Sequence, residues 1–278
     1  MRKTIGILLI LLQFSCSKPT PKPEGLILKV HYQPESKYLI STIRGTETVI
    51  TYSGQEIAMQ KLKSMNIKNP TVSKVKTKTD MELITTKRLK DNKIPVSLFY
   101  KKTMSLDGKG EIPEGTMIYG EIKNDELPVF NAIASSLIDF DQKKQLLQIV
   151  NSTYDQFNFP EKRLKIGDQF SMDRPVSIPM EGSVINTVIT TSYKLLSLNN
   201  GIAEFELNQK YQMTPQMMDN SFTGKGTGKG QLSYNIANSL ITNYYIKTEV
   251  EMNKKLDYFE FDLKTINEFS QQTSQETK

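Results

Sequence analysis

The side chains that could perform acid–base or metal chemistry are few in this sequence. It contains one histidine, His31, and one cysteine, Cys16. Histidine is the usual general base and metal ligand at neutral pH, and zinc sites take three or four ligands, mostly histidine and cysteine. The sequence also lacks the Gly-x-Ser-x-Gly motif that carries the nucleophile of many serine hydrolases. We therefore expect no metal site and no catalytic role for His31, which is interpreted as a surface residue of a strand.

Two glutamates provide the one plausible pair of catalytic carboxylates. Glu204 and Glu206 alternate along a predicted strand, so their side chains share a face about 7 Å apart. That separation falls near the range used by inverting glycosidases. Strand alternation alone also produces such pairs, as at Glu260 and Asp262, and the sequence has no tryptophan to form a sugar platform. No catalytic residue is predicted, and an envelope hydrolase of glycan or lipid using this pair is kept as the alternative function.

Two further motifs could bind ligands. The run Gly224–Gly230 reads GKGTGKG, but it departs from the Gly-x-x-x-x-Gly-Lys-Ser/Thr pattern of phosphate loops. It is better explained as a strand in which glycines permit a bulge or a close backbone approach. Met213, Met217 and Met218 flank Pro215. Thioethers can hold copper(I), yet methionines more often fill core gaps or line soft apolar surfaces, so no cofactor is predicted.

The N-terminus has the pattern of an export signal. Arg2 and Lys3 precede the unbroken apolar run Ile5–Leu12, and the small residue Ser15 stands just before Cys16. A run of this length is typical of a signal peptide and is too short to span a bilayer, which takes about 20 residues. A lone cysteine in an exported chain has no internal disulfide partner.

Gln13-Phe14-Ser15-Cys16 stands where bacterial lipoprotein precursors have their lipobox, and this segment resembles that family. The family usually has leucine where this chain has Gln13, and Leu12 lies one step further back. The resemblance implies that residues 1–15 are a signal peptide and that Cys16 is lipidated with acyl chains such as palmitate. Two or more chains anchor a protein stably where one binds only marginally.

The residues after the cysteine predict a tether and a location. Ser17–Glu24 reads SKPTPKPE, which favours an extended polyproline-like spacer of about 3 Å per residue. Residues 16–25 are therefore expected to hold the domain about 25 Å from the membrane. Ser17 is not an acidic retention signal, which by analogy favours the outer membrane, with the protein facing the periplasm.

Composition indicates a mainly β protein. Tyrosine and phenylalanine number twelve each, and alternating stretches rich in isoleucine, valine and threonine are typical of strands. The formal net charge is +6, without a run of five basic residues, so no nucleic-acid partner is expected. The predicted fold class is β-rich α+β, with antiparallel sheets in two similar halves and a helical insert.

The predicted domain boundaries follow from these patterns. They are a first β-rich half at 26–126, a helical connector at 127–158, a second β-rich half at 159–269 and a disordered tail at 270–278. Asp139 or Asp141 could cap a helix in the connector. Gly115 with Tyr119 and Gly230 with Tyr234 repeat a Gly-x-x-x-Tyr spacing, which is why the halves are expected to be similar. Whether they form one domain or two is left open.

Individual strands and turns are also predicted. Leu26–Tyr32 alternates with one buried face, Tyr38–Ile43 and Thr46–Tyr52 are two strands interrupted at Arg44-Gly45, and Asn199-Asn200-Gly201 is a hairpin turn. The second half is similar to an uncharacterised family of β-rich envelope lipoproteins. That resemblance is carried by Phe159-Pro160, by Gly167-Asp168 before a strand, and by the glycine spacing of 226, 228 and 230. It implies no activity.

Together these features predict a non-catalytic, lipid-anchored lipoprotein of the cell envelope with a binding or scaffolding role. A curved antiparallel sheet covered by a helix often encloses an apolar pocket, so a hydrophobic ligand is one expected partner. An envelope protein is the other, and it would predict a large exposed apolar patch.

The lipidation of Cys16 is directly testable. We expect the native protein to incorporate a radioactive fatty acid, and Cys16→Ser to abolish the label and to release the protein from membranes, because the acyl chains are the anchor. Ser17→Ala serves as the matched control and should remain labelled and membrane-bound. An unlabelled, freely soluble native protein would contradict the lipobox assignment.

Overall fold

The computed structural model describes residues 25–105, 112–180, 183–214, 222–255 and 258–276. Cys16 and the 16–25 tether before Gly25 lie outside these residues. The elements of the first part are β1 Leu26–Ile27, β2 Lys37–Gly54, α1 Glu56–Ser64, β3 Thr71–Thr85, β4 Lys93–Ser105, β5 Met117–Lys123, β6 Val129–Ala134 and α2 Phe140–Asp155. Those of the second part are β7 Arg163–Leu164, β8 Gln169–Met180, β9 Ser183–Asn199, β10 Ile202–Thr214, β11 Phe222–Asn235, β12 Leu240–Lys255 and β13 Phe259–Glu276.

Eleven of these strands form one antiparallel sheet. Its order is β6-β5-β4-β3-β2-β13-β12-β11-β10-β9-β8, while β1 and β7 form a separate two-stranded ladder. Each half of the chain is a meander, and the halves join where β2 pairs with β13 along its full length, from Lys37 opposite Glu276 to Gly54 opposite Phe259. The predicted mainly β class with antiparallel pairing is confirmed, and the two halves share a single sheet.

The buried side chains of every long strand point to the same side, here called the inner face. Along β2, Tyr38 and Ile40 are buried, and along β10 Ala203, Phe205 and Leu207 are fully buried. Because side chains alternate along a strand, the glutamates and lysines between these residues point to the opposite, outer face. The inner face carries a hydrophobic core that runs from the edge strand β6 to β9.

Helix α2 and the chain after it cross the inner face, from the edge strand β6 to the edge strand β8. Tyr154 packs 5.3 Å from Phe130 of β6 between ring centroids, and Phe157 packs 5.7 Å from Tyr244 of β12. Phe159 then packs 5.3 Å from Tyr193 of β9. This connection covers the apolar inner face of the sheet, so that face is buried without a second sheet packed against it.

Asp139 caps α2, as the sequence predicted. Its carboxylate accepts a hydrogen bond from the backbone N–H of Gln142 at 2.8 Å, and the side-chain oxygen of Gln142 accepts one from the backbone N–H of Asp139 at 3.1 Å. This reciprocal capping box satisfies two N–H groups that a helix start otherwise leaves unpaired.

The predicted helical connector at 127–158 is wrong at its beginning. Val129–Ala134 is a strand that pairs with β5, and only Phe140–Asp155 is helical. Phe130 decides the structure here, because its side chain is buried and its backbone N–H and C=O are both hydrogen-bonded by the Asn151 side chain of α2. Residues 131–148 contain no glycine or proline, so their composition did not separate strand from helix.

The predicted disordered tail at 270–278 is also wrong as far as residue 276. Ser270–Glu276 continues β13 and pairs with residues 37–43 of β2. Ser270 lies opposite Ile43, and Glu276 lies opposite Lys37. Thr273 is buried on the inner face beside Ile40. The side chains of this segment are polar, but its backbone hydrogen-bonds to the central strand β2. These backbone hydrogen bonds, rather than the side chains, order the segment.

Several local predictions are confirmed. Leu26, Leu28, Val30 and Tyr32 are all buried in alternation with more exposed neighbours, although only Leu26–Ile27 is paired as a strand. Asn200 and Gly201 form the two-residue turn between β9 and β10, with φ values of 49° and 77°. Positive φ at both positions is what a type I′ hairpin turn requires.

Other sequence details differ from expectation. Residues 37–54 form one continuous strand without an interruption at Arg44-Gly45. Gly115 lies in a turn with φ of 81°, whereas Gly230 lies inside β11 between two neighbouring strands. The Gly-x-x-x-Tyr spacing therefore occupies unlike places in the two halves and marks no structural repeat.

Glu82 joins three strands on the outer face. It is largely buried between Lys37 of β2 at 2.9 Å and Lys101 of β4 at 2.7 Å. The hydrogen bond from Lys101 is the main cause of the lowered pKa of Glu82, with burial acting in the opposite direction and Lys37 adding to the lowering. A carboxyl with a lowered folded-state pKa stabilises the fold above its unfolded pKa, and that contribution is lost as the pH falls through the folded value.

No helix among the described residues has the length and apolar character needed to cross a membrane.

The ordering of the C-terminal segment is testable at two adjacent positions. Thr273→Asp should lower the free energy of unfolding by about 3 kcal/mol, because it places an unpaired charge on the buried side of a central strand. Ser274→Asp, at an exposed position of the same strand, should change it by less than about 0.5 kcal/mol. Urea denaturation gives both values, and equal effects at the two positions would mean that 270–276 does not pack against β2.

Candidate functional site: a cavity between α2 and the sheet

A cavity of about 520 Å³ lies between α2 and the inner face of β13, β2, β3 and β4. Its volume falls in the range of small-molecule sites, about 300–1,000 Å³. Most of its lining is aliphatic or aromatic. The apolar lining residues are Ile40, Met81, Leu98, Tyr100, Ile112, Pro113, Leu137, Ile138, Leu146, Ile149, Val150, Tyr154, Phe157 and Phe269.

Two periodicities place these residues around one space. On the sheet side, inward positions recur every second residue, as at Ile40, Thr42 and Arg44 of β2. On the helix side, lining residues recur every three or four positions, as at Leu146 and Val150. The cavity reaches the surface beside α2, since Leu137 and Ile149 line it and are still 73% and 53% exposed.

The polar groups of the cavity are few and unevenly distributed. Among the described residues that line it, Arg44 is the one charged residue, and none is an aspartate or a glutamate. The remaining polar lining residues are Thr42, Thr77, Thr79, Gln142, Gln145, Thr153 and Gln271. Within the described ranges, no carboxylate lies within ion-pair distance of the Arg44 guanidinium, in contrast to the paired lysines of the outer face.

Two tyrosines place hydroxyl groups in this space. Burial raises the pKa of Tyr100 to about 12, and the nearby positive charge of Arg44 acts against that rise. Burial also raises the pKa of Tyr154, with Tyr32 and Tyr100 as smaller causes. Both phenols are therefore neutral donors at physiological pH. Neither hydroxyl forms a hydrogen bond with another side chain or backbone group of the described residues.

His31 lies away from the cavity. Its Nδ1 atom is 3.9 Å from the Asp125 carboxylate, which also accepts a 2.5 Å hydrogen bond from Arg88. The hydrogen bond from Arg88 is the main cause of the lowered pKa of Asp125. Among the described residues, no serine or threonine hydroxyl is hydrogen-bonded to the His31 ring, so this cluster has the form of a surface ion pair between turns.

Glu204 and Glu206 lie on the outer face of β10, with the core residue Phe205 pointing the other way. Glu206 is exposed, and Glu204 accepts a 2.9 Å hydrogen bond from Ser233 of β11. Neither lines the cavity. The two carboxylates face solvent without converging on a cleft, so the geometry gives the hydrolase alternative no site at these residues.

The glycine-rich run is a strand, as its departure from the phosphate-loop pattern suggested. Gly224, Gly226, Gly228 and Gly230 take successive inward positions of β11, with Lys225 and Lys229 outward. A Cβ atom on Gly226 would lie 3.0 Å from the Tyr211 ring, and one on Gly230 would lie 2.1 Å from the backbone oxygen of Tyr245. The glycines therefore let side chains of β10 and β12 lie over β11, which is the close approach predicted from sequence.

The remaining candidate metal ligands are the acidic side chains and the methionines around Pro215. Within the ranges that the structure describes, no group of three or more His, Cys, Asp or Glu side chains is placed to hold a metal ion. Met213 packs over Gly224 of the neighbouring strand, consistent with a packing role. Met217, Met218 and Cys16 lie outside the described residues.

Comparisons with known proteins were made for the whole chain. No protein-family model matches it, and no curated protein is similar to it. Among solved structures, it is similar to the crystal structure of Ail, the attachment invasion locus protein of Yersinia pestis, at 9% sequence identity and a TM-score of 0.14. The match covers 85% of this chain and 99% of that chain. A likeness at this TM-score carries no argument about fold or function.

Sequence reasoning did not find the cavity residues. Arg44 was interpreted as the interruption of a strand, although it continues the inward alternation of Tyr38, Ile40 and Thr42. An arginine on the apolar side of a strand was the available signal. Tyr100 and Tyr154 had no such signal, since aromatic residues at strand and helix spacing are usual in cores.

The glycine contacts generate a stability prediction. Gly230→Ala should lower the free energy of unfolding by about 1–3 kcal/mol, because the new methyl group would meet the backbone of β12. Gly45→Ala is the matched control in another central strand, where the nearest atom to a Cβ is 3.9 Å away. It should have little effect or stabilise slightly. Thermal and urea unfolding measure both, and equal losses would mean that the close approach at Gly230 is absent.

Proposed function

We propose that the protein is a non-catalytic lipoprotein of the cell envelope that binds a hydrophobic ligand between α2 and the inner face of the sheet. The cavity carries this proposal. A space of about 520 Å³ with a largely apolar lining lies beside the hydrophobic core of the sheet. Apolar surface held open to solvent costs free energy, about 25 cal/mol for each Å², and a bound apolar ligand removes that cost.

The position of α2 supports a binding role. The helix separates the cavity from solvent along one side, yet its Ile149 side chain and that of Leu137, which precedes the helix, leave an apolar entrance at the surface. A ligand can therefore reach the cavity beside the helix without unfolding the sheet. The chemical preference follows from the lining, which favours an alkyl chain or another elongated apolar group.

The proposed location rests on the N-terminal sequence. Lipidation of Cys16 after removal of residues 1–15, with residues 16–25 as a tether, would hold the domain near a membrane surface, and Ser17 favours the outer membrane facing the periplasm. Such an anchor keeps a binding protein close to a source of hydrophobic molecules. A scaffolding role toward an envelope protein is the second candidate, favoured by the exposed Leu137 and Phe140 side chains, 73% and 80% accessible.

Two experiments test the hydrophobic ligand: detection of a co-purifying lipid, and a substitution that blocks the entrance of the cavity. Protein extracted from its native membrane should carry a co-purifying lipid that mass spectrometry detects in about molar proportion. Ile149→Trp should reduce this lipid by about tenfold or more, because the larger ring fills the entrance of the cavity from an exposed position. The fold should be unaffected, as measured by the unfolding temperature.

Ile57→Trp is the matched control, since Ile57 is also an exposed helical isoleucine, at 73%, but belongs to α1 and does not line the cavity. It should retain the lipid. Absence of any co-purifying lipid, together with failure of the purified protein to bind apolar fluorescent probes, would contradict the carrier proposal and leave the scaffolding candidate.

A further inference from the structure

The cavity has one chemically distinct region, formed by Arg44 and Tyr100. Arg44 is exposed and is the one charged residue among the described residues that line the cavity, and no carboxylate of the described ranges pairs with it. Tyr100 is 5% exposed and directs a hydroxyl without a described partner into the same space. A buried phenol usually has a hydrogen-bond acceptor, so this hydroxyl is a donor in need of one.

The fold holds Arg44 in this position. In the sheet it stands opposite Thr77 of β3 and Phe269 of β13, so flanking strands restrict it on both sides. Thr77 and Phe269 both line the cavity. The guanidinium therefore extends over an apolar surface at the boundary of the cavity, where the alternation of β2 changes from the buried Tyr38 and Ile40 to the exposed part of the strand.

Charge and hydroxyl act on the same region. Arg44 and Tyr100 both line the cavity, and the positive charge of Arg44 acts to lower the pKa of the Tyr100 phenol. Arginine presents a planar set of N–H donors that matches carboxylate and phosphate oxygens, often in pairs. A phenol adds a third donor. None of the described lining residues is an aspartate or a glutamate that would compete for these donors or repel an anion.

We propose that the ligand is a single-chain anionic amphiphile, a long alkyl chain ending in a carboxylate or a phosphate, with the head group bound by Arg44 and Tyr100 and the chain lying between Met81, Leu98 and Val150. This inference rests on the proposed binding function and specifies its ligand class. The Tyr154 hydroxyl lies deeper among aromatic rings and takes no part in the head-group contact.

The test compares ligands that differ only in the head group. Palmitate, hexadecyl phosphate and the neutral hexadecanol compete against a neutral fluorescent apolar probe, so that probe binding does not itself depend on Arg44. The full chain with Cys16→Ser is used, after its bound lipid is removed on a hydrophobic resin, because neither an anchor nor detergent then competes. We expect at least one anionic ligand to bind about tenfold or more tightly than hexadecanol, as charge-assisted hydrogen bonds suggest.

Variants separate the head group from the chain. Arg44→Gln should weaken the anionic ligand about tenfold and leave hexadecanol unchanged, and Arg44→Lys should restore part of the loss because the charge is retained without the paired donors. Tyr100→Phe should weaken the anion by a few-fold. Arg163→Gln is the control, since Arg163 is an exposed arginine of β7 outside the cavity lining, and it should bind all ligands as the parent does.

The outcomes distinguish the two levels of the proposal. If the probe and all three ligands fail to bind, and no lipid co-purifies with the native protein, the binding function itself is wrong. If the ligands bind but hexadecanol equals both anions, or if Arg44→Gln keeps the full preference, the cavity binds apolar molecules without reading their head group and this inference is overturned. A preference for phosphate over carboxylate, or the reverse, identifies which head group the site accepts.

Discussion

The pairing of β2 with β13 is the interaction on which the rest of the structure depends. Every residue from Lys37 to Gly54 has a partner between Phe259 and Glu276, so two meanders that are distant in sequence become one sheet. Without this pair each meander would expose a long unpaired edge, which is an aggregation hazard in β proteins. The cavity also depends on it, because Phe269 and Gln271 of β13 complete a wall whose other strands belong to the first half.

Local regularities of the fold were readable from the sequence, and its long-range pairing was not. Alternation correctly predicted the buried side of Leu26–Tyr32 and the hairpin at Asn200-Gly201, because both depend on neighbours in sequence. The order of Ser270–Glu276 depends on a strand more than two hundred residues earlier, and no local pattern encodes that partner. Phe130 illustrates the same limit, since its place in β6 is decided by Asn151 of a helix.

The candidate site was predictable only in part. Scarcity of histidine and cysteine directed attention away from conventional metal ligands, and the glycine run was assigned to a strand by its departure from a loop motif. An apolar pocket beneath a helix was expected, but its lining residues were not identified, because they depend on how α2 packs against four strands that are distant in sequence. In the sequence, Arg44 followed by Gly45 resembles a turn. Only the uninterrupted pairing of β2 with β3 and β13 establishes that Arg44 lies within a strand and on its inward side.

The central position of β13 has a consequence for how the chain reaches its native state. Sheets dominated by contacts distant in sequence form slowly, since loop-closure entropy must be overcome before the contacts stabilise the chain. During synthesis, β2 lacks one of its two neighbours until β13 has emerged from the ribosome. The first meander therefore remains an open, incompletely stabilised sheet for most of translation.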